Sequence, residues 1–467
     1  MYTFEIPTTE LISFSDFCID QTTNRVCSSR LPQVTEARAN LKALLKETRR
    51  ADGVDKDSLK LVKIIEEYLP QLQSVMTCVA HDEIGFKSEP TFSWRSTLSA
   101  SLLTTPSKSP IPGLHADYAF TLLTYGYAMY NLAWSIVNGL GAYEQDRAIS
   151  DAARKTKDEK LNVAVQFLCK ASGIFAYIGD TVLPDWEVNR SEGPPGFNKP
   201  PELMTEVNTA LSKMALAGAQ TLAIRKLLSR SAYDSNVAPG PPLPKSHPSP
   251  ALLAKLHLEC ASLYSSARSL IKTVGSTKNS TSSSEVASEL RKHLGESAAF
   301  HTALGHKWLG VSAGENGGPD KGGEAVGFIA WAKKELEDLK DAKTLPSFGK
   351  GERDARELRK NVLADETAVL KVFLKHYKKM NDSVHFQPVP SQSDLQRLIP
   401  TGTAAVAAKA FVPPPPTFGP GSAKYKQRQI ENLSDEPAPG ASVVSSSPAA
   451  GASVEPVGTY AGAGSYF

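Results

Sequence analysis

The sequence predicts a mainly α protein: a bundle or solenoid of antiparallel, TPR-like helix pairs, with a small N-terminal β element and a disordered C-terminal tail. Two observations carry that expectation. Apolar residues recur at helical spacing from about Ala37 to Tyr377, and the breaks between the periodic stretches are rich in Pro, Gly and Ser. No stretch alternates strands with helices as a parallel sheet requires.

Tyr2, Phe4 and Ile6, then Leu11, Ile12 and Phe14, alternate loosely and suggest a short strand or two. Ala37, Leu41, Leu44 and Leu45 mark a first helix. Leu61, Ile65, Tyr68 and Leu72 mark a second, with Asp55 to Ser58 available as its cap. A Ser/Thr/Pro-rich connector containing Trp94 runs to Pro112. Helices are then expected at 114–143, 147–182, 200–231, 249–272, 287–312, 323–341 and 350–380. The last carries Leu358, Val362, Val369, Phe373 and Tyr377 on one face. Asn381-Asp382 tolerates a helix exit, and Pro388 and Pro390 cannot continue a helix. An extended strap bearing Val384 and Phe386 is expected to lie back across the body.

Two domains follow: a helical domain over residues 1–400 and a tail over 401–467, whose Pro, Gly, Ser and Ala cannot bury enough apolar surface to offset ordering. Pro413 to Pro416 form a solvated spacer or a polyproline ligand for an SH3-type groove. Tyr460, Tyr466 and Phe467 are aromatic points within that tail.

The 467 residues carry 41% hydrophobic and 22% charged residues with a net charge of +3. That balance, with no basic run interleaved with aromatics, gives no support to nucleic-acid binding. Cys18, Cys27, Cys78, Cys169 and Cys260 lack metal or disulfide spacing, which suits a reducing, cytoplasmic setting. No signal peptide is visible at the N-terminus. The apolar window Tyr118 to Gly139 is interrupted by polar residues and reads as a buried core helix, so membrane contact would be peripheral. The histidines show no zinc spacing and suit surface or capping positions, and no cofactor is implied.

Gly310-Val311-Ser312-Ala313-Gly314 formally matches the nucleophile elbow of serine hydrolases, but that chemistry needs a strand feeding a strained turn, and the preceding residues read as helix. The glycines from Gly310 to Gly323 better suit a turn between helices. No catalytic constellation survives, and a non-enzymatic interaction protein is expected.

Several short stretches together resemble the BRO domain family. They are the closing run Met380-Asn381-Asp382-Ser383-Val384-His385-Phe386-Gln387-Pro388-Val389-Pro390, the Phe92-Ser93-Trp94-Arg95 element, Asp180-Thr181-Val182-Leu183, the helix around Ala219-Gln220, and Trp308-Leu309-Gly310. The resemblance implies an adaptor whose concave apolar patch accepts the C-terminal amphipathic helix of an ESCRT-III filament subunit, a helix-in-groove contact. It places partner-binding residues at Leu252 and Leu256, with Ile224, Ala223 and Leu161 as further candidates. Ala223 stands where the family carries larger side chains. Leu253, Leu256, Cys260, Leu263, Ala267 and Leu270 form the stripe facing the domain's own core. Leu252 lies off its centre and makes, with Leu256, an apolar edge. The short tail resembles that of fungal members acting in alkaline-pH signalling. This implies pH-signalling partners at the plasma membrane, peripheral recruitment to plasma-membrane or endosomal sites, and support for proteolytic activation of a pH-responsive transcription factor. The alternative is a general helical scaffold whose proline-rich tail recruits SH3-type partners.

Overall fold

Helix α4 (Leu114–Leu140) is buried on nearly every side, because Tyr118, Phe120, Leu122, Tyr127, Tyr130 and Trp134 leave it no polar face to turn to solvent. Other helices stack on either side of it in the computed structural model, which describes residues 2–50, 57–99, 108–146, 148–189, 199–234, 240–275, 286–341 and 350–427. In chain order, α1 (Phe14–Phe17) leads into α2 (Leu31–Arg50) and α3 (Ser58–Ala80), and after α4 come α5 (Asp151–Tyr177) and α6 (Leu183–Asn189). Then follow α7 (Thr205–Asp234), α8 (Pro250–Gly275), α9 (Ser288–Asn316), α10 (Gly322–Asp341), α11 (Lys350–Met380) and α12 (Gln392–Arg397). Contacts run α2–α3–α4–α5–α7–α8–α9–α10–α11, each long helix packing on its neighbours in sequence. The helical periodicity therefore locates every long helix. Asp57 caps α3 by accepting from Lys60 N at 2.9 Å.

The β structure is larger than the sequence suggests and lies elsewhere: Tyr2 to Ile6 and Leu11 to Phe14 form no strand, Thr9 makes a single bridge to Trp94, and Phe14 opens α1. β1 (Cys18–Asp20) pairs with β2 (Ile84–Phe86), and β3 (Thr91–Arg95) pairs with β4 (Lys108–Pro112), both antiparallel. Phe92 and Trp94 thus sit on a strand, where alternation turns both inward against α2 and α4. A buried polar knot fixes this layer. Arg38 donates to Asp117 at 2.5 Å, to Tyr68 at 3.2 Å and to Thr9 at 2.9 Å, while Trp94 Nε1 donates to the second Asp117 oxygen at 2.7 Å. The Arg38 guanidinium also lies 5.0 Å from the centre of the Phe92 ring.

Composite helix 151–189 (α5, a π turn and α6) is long and apolar enough to cross a membrane, but 61% of its most apolar window is buried inside the protein. Glycines 310 and 314 lie within α9, not in a turn. A Cβ at Gly314 would overlap the Tyr377 ring and one at Gly310 the Ile329 side chain, so both allow close helix approach. The turn comes later, at Gly317 and Gly318 (φ 67°). On α11 the buried face is Leu363, Thr367, Leu370, Phe373 and Tyr377, whereas Val362 is exposed and the Leu358 side chain lies outside the described residues.

Two expectations at the C-terminal end need correction. Val384 and Phe386 do not pack on the body: Asn381 closes the helix through a π turn, and Phe386 follows at φ 51° with 73% of its surface exposed. Nor is the chain free from Thr401 onward. After α12 an extended strap crosses the helices. Thr403 N donates to the Lys255 carbonyl at 3.1 Å, and Lys409 N donates to the Cys169 carbonyl at 3.0 Å. Phe411 packs against Tyr177 with ring centres 5.2 Å apart, and Thr417 N and Phe418 N donate to Ser74 Oγ at 2.7 and 3.2 Å. Composition misleads here because the segment Thr403 to Ala410 is held through backbone hydrogen bonds while most of its side chains stay exposed. Pro413 to Pro416 lie between the anchored Phe411 and Phe418, where prolines lose little entropy on docking. Residues 428–467, with Tyr460, Tyr466 and Phe467, lie outside the described residues.

Histidines 257, 301 and 306 are buried rather than at the surface. His257 and His301 face each other Nδ1 to Nδ1 at 3.0 Å, and His301 Nε2 reaches Thr221 at 3.1 Å.

Three outcomes test this architecture. Asp117→Ala leaves Arg38 charged and buried without its counter-ion, and is expected to lower unfolding free energy by about 3–5 kcal/mol in denaturant titrations. In Gly173→Ala, the added methyl would overlap the Lys409 carbonyl and lift the strap. Limited proteolysis should then cut between 400 and 420 in the variant long before the parent; equal cutting rates would show the strap is not held there. Burial pushes His301 down to about 4 and His293 to about 3, and holds His257 well below the ordinary imidazole range. The unfolded chain takes up these protons below about pH 6.5 while the folded chain does not. Stability is thus complete above that value and falls as pH drops towards 4, by up to about 1.4 kcal/mol per pH unit for each histidine. Urea unfolding at pH 7 and pH 5 checks the sign.

Candidate partner-binding face

Helices α7 and α8 run antiparallel, and Gln220 of α7 marks where they and the strap meet. Its amide donates to the Thr403 carbonyl at 2.9 Å and leans towards the Leu256 carbonyl at 3.4 Å, while its Oε1 accepts from Ala405 N at 2.7 Å. Gln220 is buried, so this pairing substitutes for water on both of its polar atoms. Gly402 lies against the Glu259 backbone with no room for a side chain.

Periodicity then places the exposed residues. Seven residues along a helix are two turns, a net rotation of only about 20° and an advance of roughly 10 Å. Leu252 stands seven residues before Glu259, and Leu227 seven after Gln220, so both lie on the strap-bearing side. Because the helices are antiparallel, both are displaced towards the same end. Leu252 is 41% exposed and Leu227 42%, and Ala223 between Gln220 and Leu227 is half-buried. The result is an apolar strip bounded on one side by the strap.

Among the residues singled out in the sequence, Leu252 and Ala223 are accessible on this strip. Leu256 is not part of an exposed edge: at 2% exposure it packs with Ile224, Leu253 and Cys260 in the core shared by α7 to α11. Ile224 is equally interior, and Leu161 on α5 is fully enclosed in the other core cluster. The physical reason is the same for the pair. Ile224 and Leu256 point across the α7–α8 seam, where each fills the other helix's groove. Leu227 was missed by sequence reasoning, although its spacing of four from Ala223 was the signal that could have found it.

Beside the N-terminal end of α8 lies an open cleft of about 560 Å³ lined by Leu243, His247, Pro250, Ala251, Ser312 and Glu315, among others. Ser312 sits on a straight run of α9, not on a strained turn, and His247 directs Nδ1 to the Pro248 carbonyl at 2.7 Å. Neither arrangement activates a serine. Away from this face, Cys27, Cys78 and Glu83 bring three ligand-type atoms within 4.8 Å of one another, a grouping that sequence spacing did not reveal.

The sequence matches the model of the BRO1-like domain over residues 24–432. It is 35% identical over 507 aligned positions to the pH-response regulator protein palC of Cryptococcus neoformans var. neoformans serotype D (strain B-3501A), covering 100% of this chain and 99% of that one. A protein of the same name from Yarrowia lipolytica (strain CLIB 122 / E 150) is 25% identical, over 88% and 94% of the two chains. Among solved structures, the fold matches one described as an ALIX BRO1 CHMP4C complex, with TM-score 0.57 and 17% identity over 88% of this chain and 96% of that one. It also matches one on endosomal targeting by the Bro1 domain, with TM-score 0.54 and 16% identity over 87% and 92%. With its helical stack and strap matched along nearly its whole length, the chain belongs to the BRO1-like domain family.

Proposed function

We propose that this chain is a non-enzymatic adaptor of alkaline-pH signalling that captures the C-terminal amphipathic helix of an ESCRT-III filament subunit. The strip carrying Leu252, Leu227 and Ala223 is the docking face. The observation that carries this reading is the exposure of Leu252, on a helix whose other large aliphatic side chains are buried or half-buried. An incoming helix with apolar residues at i, i+3, i+4 and i+7 would cover such a strip along its length. The solved BRO1 complex with CHMP4C supports the class of partner, and the palC relatives support the pathway. The adaptor would then act at the cytoplasmic side of plasma-membrane or endosomal sites, recruited through its partners. It would bring ESCRT-III to where a separate protease activates the transcription factor. The alternative, recruitment of SH3-type partners by the proline run, is less favoured because Pro413 to Pro416 lie between two docked aromatic residues.

The expected outcome is that Leu252→Asp weakens capture of a peptide carrying the C-terminal helix of an ESCRT-III filament protein at least ~10-fold, the loss of a well-placed anchor. Far-UV circular dichroism should stay unchanged, because the side chain is already 41% in solvent. Leu227→Asp should act in the same direction. Leu256→Asp is a different experiment, since a carboxylate there enters the core and lowers stability. Full capture by both surface variants would remove the strip as the docking face.

A further inference from the structure

The Cys27, Cys78 and Glu83 grouping lies at the opposite end of the strap from α8, and several parts of the chain converge to build it. Cys27 comes from the loop before α2. That loop is held by Asp20, whose carboxylate accepts from Ser28 N at 2.6 Å, Ser28 Oγ at 2.8 Å and Thr22 N at 2.9 Å. Cys78 stands on the last turn of α3, and Glu83 follows in the turn to β2, where its N–H donates to the Cys78 carbonyl at 2.8 Å. Its carbonyl accepts from Gln21 N at 2.9 Å. Both cysteines are buried, at 2% and 0% exposure, while Glu83 is half-buried. The strap roofs the cluster. Gly419, at φ 72°, passes so near that any side chain there would overlap Cys78 Sγ.

The two sulfurs lie 3.9 Å apart. Two thiolates on one tetrahedral zinc at the usual Zn–S length of about 2.3 Å are about 3.8 Å apart, whereas a disulfide brings sulfurs to about 2.05 Å. The spacing is that of an edge of a metal tetrahedron. A carboxylate oxygen is the third ligand type zinc accepts.

We propose that Cys27, Cys78 and Glu83 bind one thiophilic divalent cation, zinc, with a water completing the tetrahedron. Binding displaces the two thiol protons to solvent and gives a doubly thiolate-ligated cation, with no change of oxidation state. The ion joins the loop before α2, the end of α3 and the turn to β2 beneath the strap. Its occupancy therefore tightens the strap's far end as Gln220 tightens the near end. The site is separate from the partner-binding face.

The test uses the full chain, reduced and stripped with a chelator, then titrated with cobalt(II) as a spectroscopic stand-in. One equivalent should produce a sulfur-to-cobalt charge-transfer band with tetrahedral d–d absorption, and zinc should erase both. Cys27→Ser should abolish most of that band, and Glu83→Gln should weaken zinc binding by ~10–100-fold, both with an unchanged circular dichroism spectrum. Cys27 and Glu83 lie in loop and turn, so these variants keep the test meaningful if Cys78→Ser fails to fold. Zinc should also slow proteolysis near Gly419 in the parent and not in Cys27→Ser. Folded parent protein without the charge-transfer band overturns the proposal, and so does a band that persists in Cys27→Ser. Loss of two hydrogens between Cys27 and Cys78 on treatment with oxidised glutathione, with no metal uptake by the reduced chain, would instead make them a redox pair and equally overturn it.

Discussion

One buried amide fixes how the strap crosses α7 and α8. Gln220 offers a donor and an acceptor spaced like those of a peptide group, and the strap uses both, at Thr403 and Ala405. A hydrophobic residue at 220 would leave a part-buried strap carbonyl and strap N–H without their protein partner. Each such group costs up to about 1–3 kcal/mol where water does not replace the partner. The position of the strap on α7 and α8 is therefore set by hydrogen-bond satisfaction rather than by apolar burial. That is why a segment so poor in large side chains can be held at all.

The same fact explains which parts of the chain were legible in its sequence. Helical periodicity reports burial of side chains, and α4 to α11 bury side chains, so their limits emerge within a few residues. The strap between Thr403 and Ala410 is held mainly through its backbone, which composition does not encode. It therefore looks like a solvated tail. Strands β3 and β4 were hidden for another reason: Pro110 and Pro112 sit in β4, and Ser93 separates Phe92 from Trp94, so the hairpin resembles a connector. Cys27 and Cys78 are far apart in sequence and meet only because α2 and α3 fold back on each other.

On the candidate face the limit of sequence reasoning is one of angle. Leu252 and Leu256 are both aliphatic and four residues apart, about 40° round the helix. A neighbouring helix whose groove falls between those directions buries one and spares the other. The pairing of α7 with α8 buries Leu256 against Ile224 and leaves Leu252 outward. Only the packed pair decides this, because either leucine alone is compatible with a core stripe. The resemblance to BRO domains placed its candidates on α5, α7 and α8, and their sequence could not say which of those side chains stay exposed.

The geometry also constrains what the exposed strip can do. Its leucines project from two antiparallel helices whose opposite faces are locked into one core, so the strip cannot spread or deepen without disturbing Ile224, Leu253 and Cys260. A partner docked as proposed would match a preformed ridge and meet on one flank the strap, whose Thr403 N–H and carbonyl and Ala405 N–H are already engaged. It would find apolar contact from the leucines and no free strap N–H at those two positions. That favours a partner that brings its own satisfied backbone, which an amphipathic helix does and an extended peptide does not.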